Sequence, residues 1–197
     1  AVVVMDEKAT NVISLLSGHL GGANQVTLDI AELLGSNPVI TTATDVQNVT
    51  ALDNLAQSVN GWRPELREFI KPFNSYLGSG RKVYFYQEKD WVTDLRGLTL
   101  VDEEELAAVL KGTDPLILLT TEKKDLQREN LALIYPQPYI LGVGARKDVA
   151  PAVFREGFEE FCQQQGISAS EISKIVSIDV KKDEAAILAL AEELGCP

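Results

Sequence analysis

Apolar positions along the chain change their rhythm several times, and each change predicts an element. Two short β-branched runs come first, AVVVM (1–5) and NVISLL (11–16), separated by the polar DEKAT. Runs of this length and composition predict strands. After a Gly-Gly pair, Val26, Ile30, Leu33 and Leu34 fall at i, i+4, i+7 and i+8, the spacing of one helical face. Gly35 ends that helix and PVITT (38–42) returns as a strand. Strand, strand, turn, helix, strand is the order that a parallel α/β layer produces.

The middle is less regular. Leu52, Leu55, Ala56 and Val59 have helical spacing, and PELREFIKPFNSYL (64–77) predicts a second helix. Pro64 suits its first turn, and Pro72 is expected to kink or split it. RKVYFYQ and PLILLTT read as strands on either side of a short helix in DEEELAAVLKG. YPQPY (135–139) carries two prolines in three residues and marks a boundary. Beyond it YILGVG and KIVSIDV predict strands, Phe154, Phe158 and Phe161 share a helical face, and so do Ile187, Leu190, Ala191 and Leu194. The expected fold is α/β, two domains with mainly parallel sheets flanked by helices and joined through a variable central region. The divisions fall at 1–48, 49–137 and 138–197. Because the chain opens inside a strand-like run and closes as a helix hands over, it reads as a piece of a longer polypeptide.

Composition narrows the partners. With 29 acidic and 18 basic residues the net charge is −11, which opposes general attraction to nucleic acid or anionic lipid. Two cysteines without a CxxC or a Cys/His cluster support neither a disulfide framework nor a structural zinc site. No apolar run approaches the roughly 20 residues that span a bilayer. A reducing, cytoplasmic location fits these features.

Chemistry gathers in turns that follow strands. Ser17, Gly18, His19, Leu20, Gly21, Gly22, Ala23 and Asn24 join a strand to a helix and include the only histidine. Glycine pairs let a ligand approach the backbone, a helix start offers free N–H groups, and an imidazole titrates near neutrality. The bland alternative is a tight turn with His19 capping it or lying on the surface. A Ser17/His19/Asp45 triad is disfavoured because nucleophile and base stand two positions apart. Thr41, Thr42, Thr44 and Asp45 crowd the end of the next strand, where α/β sheets bind ligands; equally, Thr44 or Asp45 caps a helix starting near Val49.

Two further turns lie near the end of the chain. GVGARKD (142–148) places Arg146 and Lys147 before a helix; its third fingerprint glycine falls at Lys147, so the dinucleotide pattern fails. SIDVKKDE (177–184) adds Lys181 and Lys182 at another strand end. If the two strands are neighbours, these cations form a basic rim for a substrate with several carboxylates. Solvated lysines beside an acidic first turn are the plainer alternative.

LLSGHLGGAN followed by PVITTATD resembles the signature of the cobalt-precorrin 5A hydrolases, the CbiG-type proteins of anaerobic cobalamin synthesis. GVGARKD with SIDVKKDE resembles the start of their C-terminal, CobE-like domain, although Ala145 stands where the family usually has cysteine. The likeness covers nearly the whole chain and implies that the beginning of the N-terminal domain and the last half of the C-terminal one are missing. It implies a hydrolase that opens the δ-lactone of a cobalt-corrinoid precursor, releases acetaldehyde and gives cobalt-precorrin 5B. The cobalt arrives within the substrate, so neither a cofactor nor a protein-bound metal is expected. His19 and Asp45 are the catalytic candidates. Ser17, Gly21, Gly22, Asn24, Thr41, Thr42 and Thr44 are expected to bind substrate, with backbone N–H groups from Gly21 to Ala23 steadying an oxyanion. Arg146, Lys147 and Lys181 would anchor its carboxylates. An axial bond from His19 to the cobalt is set aside, since a flexible exposed turn holds a ligand poorly. The expected partner is the corrinoid alone, with no nucleic acid or membrane, and the oligomeric state stays open, a dimer included. A tetrapyrrole carrier without chemistry and a nucleotide- or phosphosugar-binding module are the rival readings.

Overall fold

The computed structural model describes residues 1–122, 126 and 128–196. Its first layer is a three-stranded sheet in the order β1 (Val2–Met5), β2 (Asn11–Leu16), β3 (Asn37–Val39). β1 runs antiparallel to β2 and β3 runs parallel to it, with α1 (Ala23–Leu34) as the crossover. Gly35 closes α1 in the left-handed region at φ 65°, as expected of a glycine there.

The buried side of α1 differs from the expected one. Ala23, Thr27 and Ala31 are buried, whereas Val26, Leu33 and Leu34 are exposed. Small residues at i, i+4 and i+8 let the helix lie close on a narrow sheet, and Val26 is turned roughly 100° away from Thr27. The strand expected over PVITT also shortens, because Thr42 is the N-cap of a separate short helix, α2 (Ala43–Val46). Asp45 belongs to the first turn of α2, and the next helix, α3 (Leu52–Ser58), starts later than Val49.

The central sheet is wholly parallel. β4 (Tyr84–Gln87), β5 (Thr99–Leu100), β6 (Leu116–Leu119) and β7 (Leu131–Ile134) stand in the order β5-β4-β6-β7. α4 (Arg67–Gly78) runs unbroken through Pro72, although the proline forfeits the hydrogen bond that an N–H there would give the Glu68 carbonyl. α5 (Glu103–Lys111) starts at a capping box between Asp102 and Glu105. Alternate strand residues serve two cores. Phe85, Ile117, Leu119, Ala132 and Ile134 pack with Leu52, Phe73 and Leu77 of α3 and α4, while Leu116, Leu118 and Leu131 pack with Leu106 of α5. That is why all four residues of β6 are buried, as the middle of a three-layer α/β unit requires.

The last layer pairs β8 (Tyr139–Gly142) in parallel with β9 (Ile172–Val176), joined through α6 (Pro151–Gln165) and followed by α7 (Ala185–Leu194). Ala186, Ile187 and Leu190 are the buried residues of α7. The last layer is fastened to the segment after β4 by Glu171, just before β9, which is fully buried and accepts hydrogen bonds from Lys89 Nζ (2.5 Å) and Trp91 Nε1 (2.9 Å). The architecture is thus the α/β class with mainly parallel sheets flanked by helices that the hydrophobic pattern predicts. Among the described residues no helix is long and apolar enough to cross a membrane.

Candidate active site

Because β2 and β3 are adjacent and parallel, the loops that leave their carboxyl ends meet. Residues 17–22 follow β2, and residues 40–45 follow β3 and enter α2. The first loop is tightly wound. Ser17 takes φ 61° and Gly22 takes φ 72°, and the Gly22, Ala23 and Asn24 amides donate to the carbonyls of His19 (2.8 Å), Ser17 (3.1 Å) and Gly18 (3.1 Å). These amides are therefore spent inside the loop. An oxyanion at this turn would have to be met by the Gly21 N–H rather than by Gly22 or Ala23.

This winding turns His19 inward. Its side chain is only 11% exposed, in contrast to the flexible, exposed turn expected from the sequence. Nε2 lies 3.0 Å from the Thr44 hydroxyl and 3.6 Å from Asp45 Oδ2. Among the described residues Nδ1 has no hydrogen-bond partner. Asp45 Oδ2 also accepts from Asn24 Nδ2 (2.9 Å) and from the Thr42 hydroxyl. Asn24 Nδ2 reaches Thr42 Oγ1 at 3.1 Å, and Asn24 Oδ1 accepts from Ser14 at 2.6 Å. An imidazole gripped at one nitrogen beside a carboxylate is the arrangement of a general base whose other nitrogen does the proton transfer. The Asp45 charge is felt as far as Arg96, whose guanidinium is held above its ordinary pKa chiefly by its hydrogen bond to Asp94 and, further down, by Asp45.

Thus His19, Asn24, Thr42, Thr44 and Asp45 come together. Thr41 is exposed at the rim, and Ser17 makes no hydrogen bond to His19, so the disfavoured triad does not form.

Arg146, Lys147 and Lys181 stand apart from this cluster. Arg146 lines a largely apolar cavity of about 370 Å³ between β8 and α6, walled by residues of 141–161 and Leu190 and by none of 17–45. Phe154, Phe158 and Phe161 form part of its wall. Lys147 and Lys181 border a second recess together with Asp148, Asp183 and Glu184, so two lysines face three carboxylates and the rim is not basic there. Lys181 Nζ is 3.0 Å from Glu184, and this hydrogen bond, with help from the Asp148 N–H, holds the Glu184 carboxyl below its ordinary range. Among the described residues no group of three or more His, Cys, Asp or Glu converges as a metal site.

Sequence reasoning missed one polar group at the carboxyl edge of the central sheet. Glu88, just past β4, accepts from the Thr121 N–H (2.8 Å) and Oγ1 (3.1 Å) and from Thr120, just past β6. By strand order the connections after β4 and β6 go to opposite sides, so this is where a ligand crevice is expected, and here Glu88 bridges the two strand ends. Its only sequence signal was a carboxylate and two threonines directly after apolar strands.

Two family models match the chain at its ends: Cobalamin synthesis G N-terminal over residues 1–45, and Cobalamin synthesis G C-terminus over residues 139–197. The chain belongs to the cobalamin synthesis G family. The His19 cluster lies within the N-terminal match, and the Arg146 cavity lies within the C-terminal one. Curated relatives include the cobalt-precorrin-5A hydrolase of Salmonella typhimurium, 35% identical over 97% of this chain and 55% of its own length. The cobalt-precorrin-5A hydrolase of Priestia megaterium is 30% identical over 99% of this chain and 54% of its own. The chain thus spans about half the length of the curated relatives it matches. A crystal structure of a putative cobalamin biosynthesis protein G homolog from Sulfolobus solfataricus aligns over 98% of the chain and 54% of its own, with TM-score 0.40 and 20% identity.

Proposed function

We propose that the chain carries the acid/base site of a cobalt-precorrin-5A hydrolase. The observation that supports this most is His19, gripped at Nε2 between Thr44 and Asp45 within the stretch shared with the family. On this reading Nε2 keeps its proton, donated to the Thr44 hydroxyl with the Asp45 charge beside it, and Nδ1 takes a proton from water as that water attacks the lactone carbonyl. The ester C–O bond breaks, giving a carboxylate and a free carbinol. Deprotonation of the carbinol then forms the aldehyde C=O as the carbon–carbon bond to the macrocycle breaks. The electron pair stays on the macrocycle, and acetaldehyde leaves. The Gly21 N–H steadies the oxyanion, and Thr41 at the rim contacts substrate. The cobalt enters as part of the substrate, and no protein cofactor is invoked.

Incubation of the purified protein with cobalt-precorrin 5A tests this reading. Acetaldehyde released in step with lactone opening supports it. Corrinoid bound without acetaldehyde moves the protein to the carrier reading.

Gly18→Ala gives a steric test of the same site. The added Cβ would lie 2.7 Å from Asn24 Oδ1 and 2.9 Å from Thr42 Cγ2, closer than atoms pack. Because the whole hydrogen-bond cluster must shift, turnover is expected to fall by roughly 100-fold. Acetaldehyde release at the parental rate would show that the cluster's geometry does not set the chemistry.

A further inference from the structure

We infer that Asn24 is a positioning residue, which fixes Asp45 against His19; this rests on reading His19 and Asp45 as the acid/base pair. Every contact has one allowed direction. A carboxylate can only accept, so the Asn24 amide nitrogen must face Asp45, at 2.9 Å. The amide oxygen then faces Ser14, whose hydroxyl donates to it at 2.6 Å. The Thr42 hydroxyl donates to the same Oδ2 and lies 3.1 Å from Asn24 Nδ2. The amide and the hydroxyl thus converge on one carboxylate oxygen. Ser14 is 5% exposed on β2, so the amide is anchored to the sheet and not to a mobile side chain.

The consequence reaches His19 through Asp45. Asp45 is 41% exposed and sits in a helix of four residues, so little else fixes its carboxylate. Held by Asn24 and Thr42, Oδ2 stays 3.6 Å from Nε2. The carboxylate acts there through its charge, which favours the tautomer with the proton on Nε2, donated to Thr44, and Nδ1 as the acceptor. Released, the carboxylate would turn to water, and the imidazole would lose the partner that selects its tautomer.

Three variants test this: Asn24→Ala, the isosteric Asn24→Asp, which replaces the donor by a second carboxylate, and Asp45→Ala. With a single histidine, the imidazole Nε2–H proton resonance is unambiguous. It is expected in the parent and lost by exchange broadening in all three variants, whether or not the protein turns over. In the acetaldehyde assay kcat is expected to fall by roughly 100-fold for Asn24→Ala, with KM little changed. Adding Asn24→Ala to Asp45→Ala is expected to cost little more, because both act through one carboxylate. A retained Nε2–H signal in Asn24→Ala overturns the inference. So does a raised KM at unchanged kcat, or a fully additive double variant. Where circular dichroism shows Asn24→Ala unfolded, Ser14→Ala replaces it, with the same pattern expected at about tenfold. A parent that shows the Nε2–H signal but releases no acetaldehyde overturns the hydrolase reading and leaves the Asn24 contact to be judged by resonance alone.

Discussion

Replacing His19 by alanine is expected to lower acetaldehyde release by roughly 100- to 10,000-fold, the usual worth of a positioned general base. The protein should stay folded. The imidazole's contacts are Thr44 and Asp45, and loss of one such hydrogen bond costs about 1 kcal/mol. A fall in kcat without a matching fall in thermal stability therefore separates a chemical role from a packing one. Asp45→Asn sharpens the comparison. It keeps the side-chain shape but removes the charge that holds the Nε2 proton, so it should be impaired in kcat while still binding corrinoid. If His19→Ala turns over at the parental rate, the imidazole is a satisfied, mostly buried side chain and the base must be sought elsewhere.

Much of this site was legible because two signals in the sequence are local. A β-branched run followed by glycines and then helical spacing specifies β2, the turn and α1, and a strand after Gly35 specifies β3. Once β2 and β3 are parallel neighbours, His19 and Asp45 must meet, although 26 positions separate them. The direction of the α1 face was not legible. Val26 and Leu33 satisfy helical spacing, but spacing is blind to which side a narrow sheet covers, and the close approach allowed by Ala23, Thr27 and Ala31 decided it. The shared basic rim failed for a related reason. Sequence places Lys147 and Lys181 at strand ends, yet the same turns carry Asp148, Asp183 and Glu184, and only three dimensions show them lining one recess. The spent amides of Gly22 and Ala23 were equally hidden, since nothing in a run of glycines says where its N–H groups go.

The role of Glu171 was invisible for the opposite reason: locally it reads only as the last residue of a Ser168–Glu171 capping box, and its side-chain partners lie about 80 positions away. Its carboxylate is 0% exposed and accepts from Lys89, Trp91 and the Ser168 N–H, while Lys89 also donates to the Gly166 carbonyl. A charge removed from water at this cost is tolerable only while its partners remain. Lys89→Ala is therefore expected to destabilise the protein by roughly 3–5 kcal/mol, since it strands a buried carboxylate. Glu171→Ala should cost less, because the lysine left behind is 40% exposed and can turn to water. The decisive variant is the double one. Lys89→Ala with Glu171→Gln removes the stranded charge but keeps an acceptor for the Trp91 N–H, so it should recover a large part of the stability that Lys89→Ala loses. Urea unfolding of the three variants measures this. A double variant no more stable than Lys89→Ala would mean that the lysine contributes by packing over Trp91 and not by compensating charge. In that case the junction between the central sheet and the last layer is held by shape and not by a salt bridge.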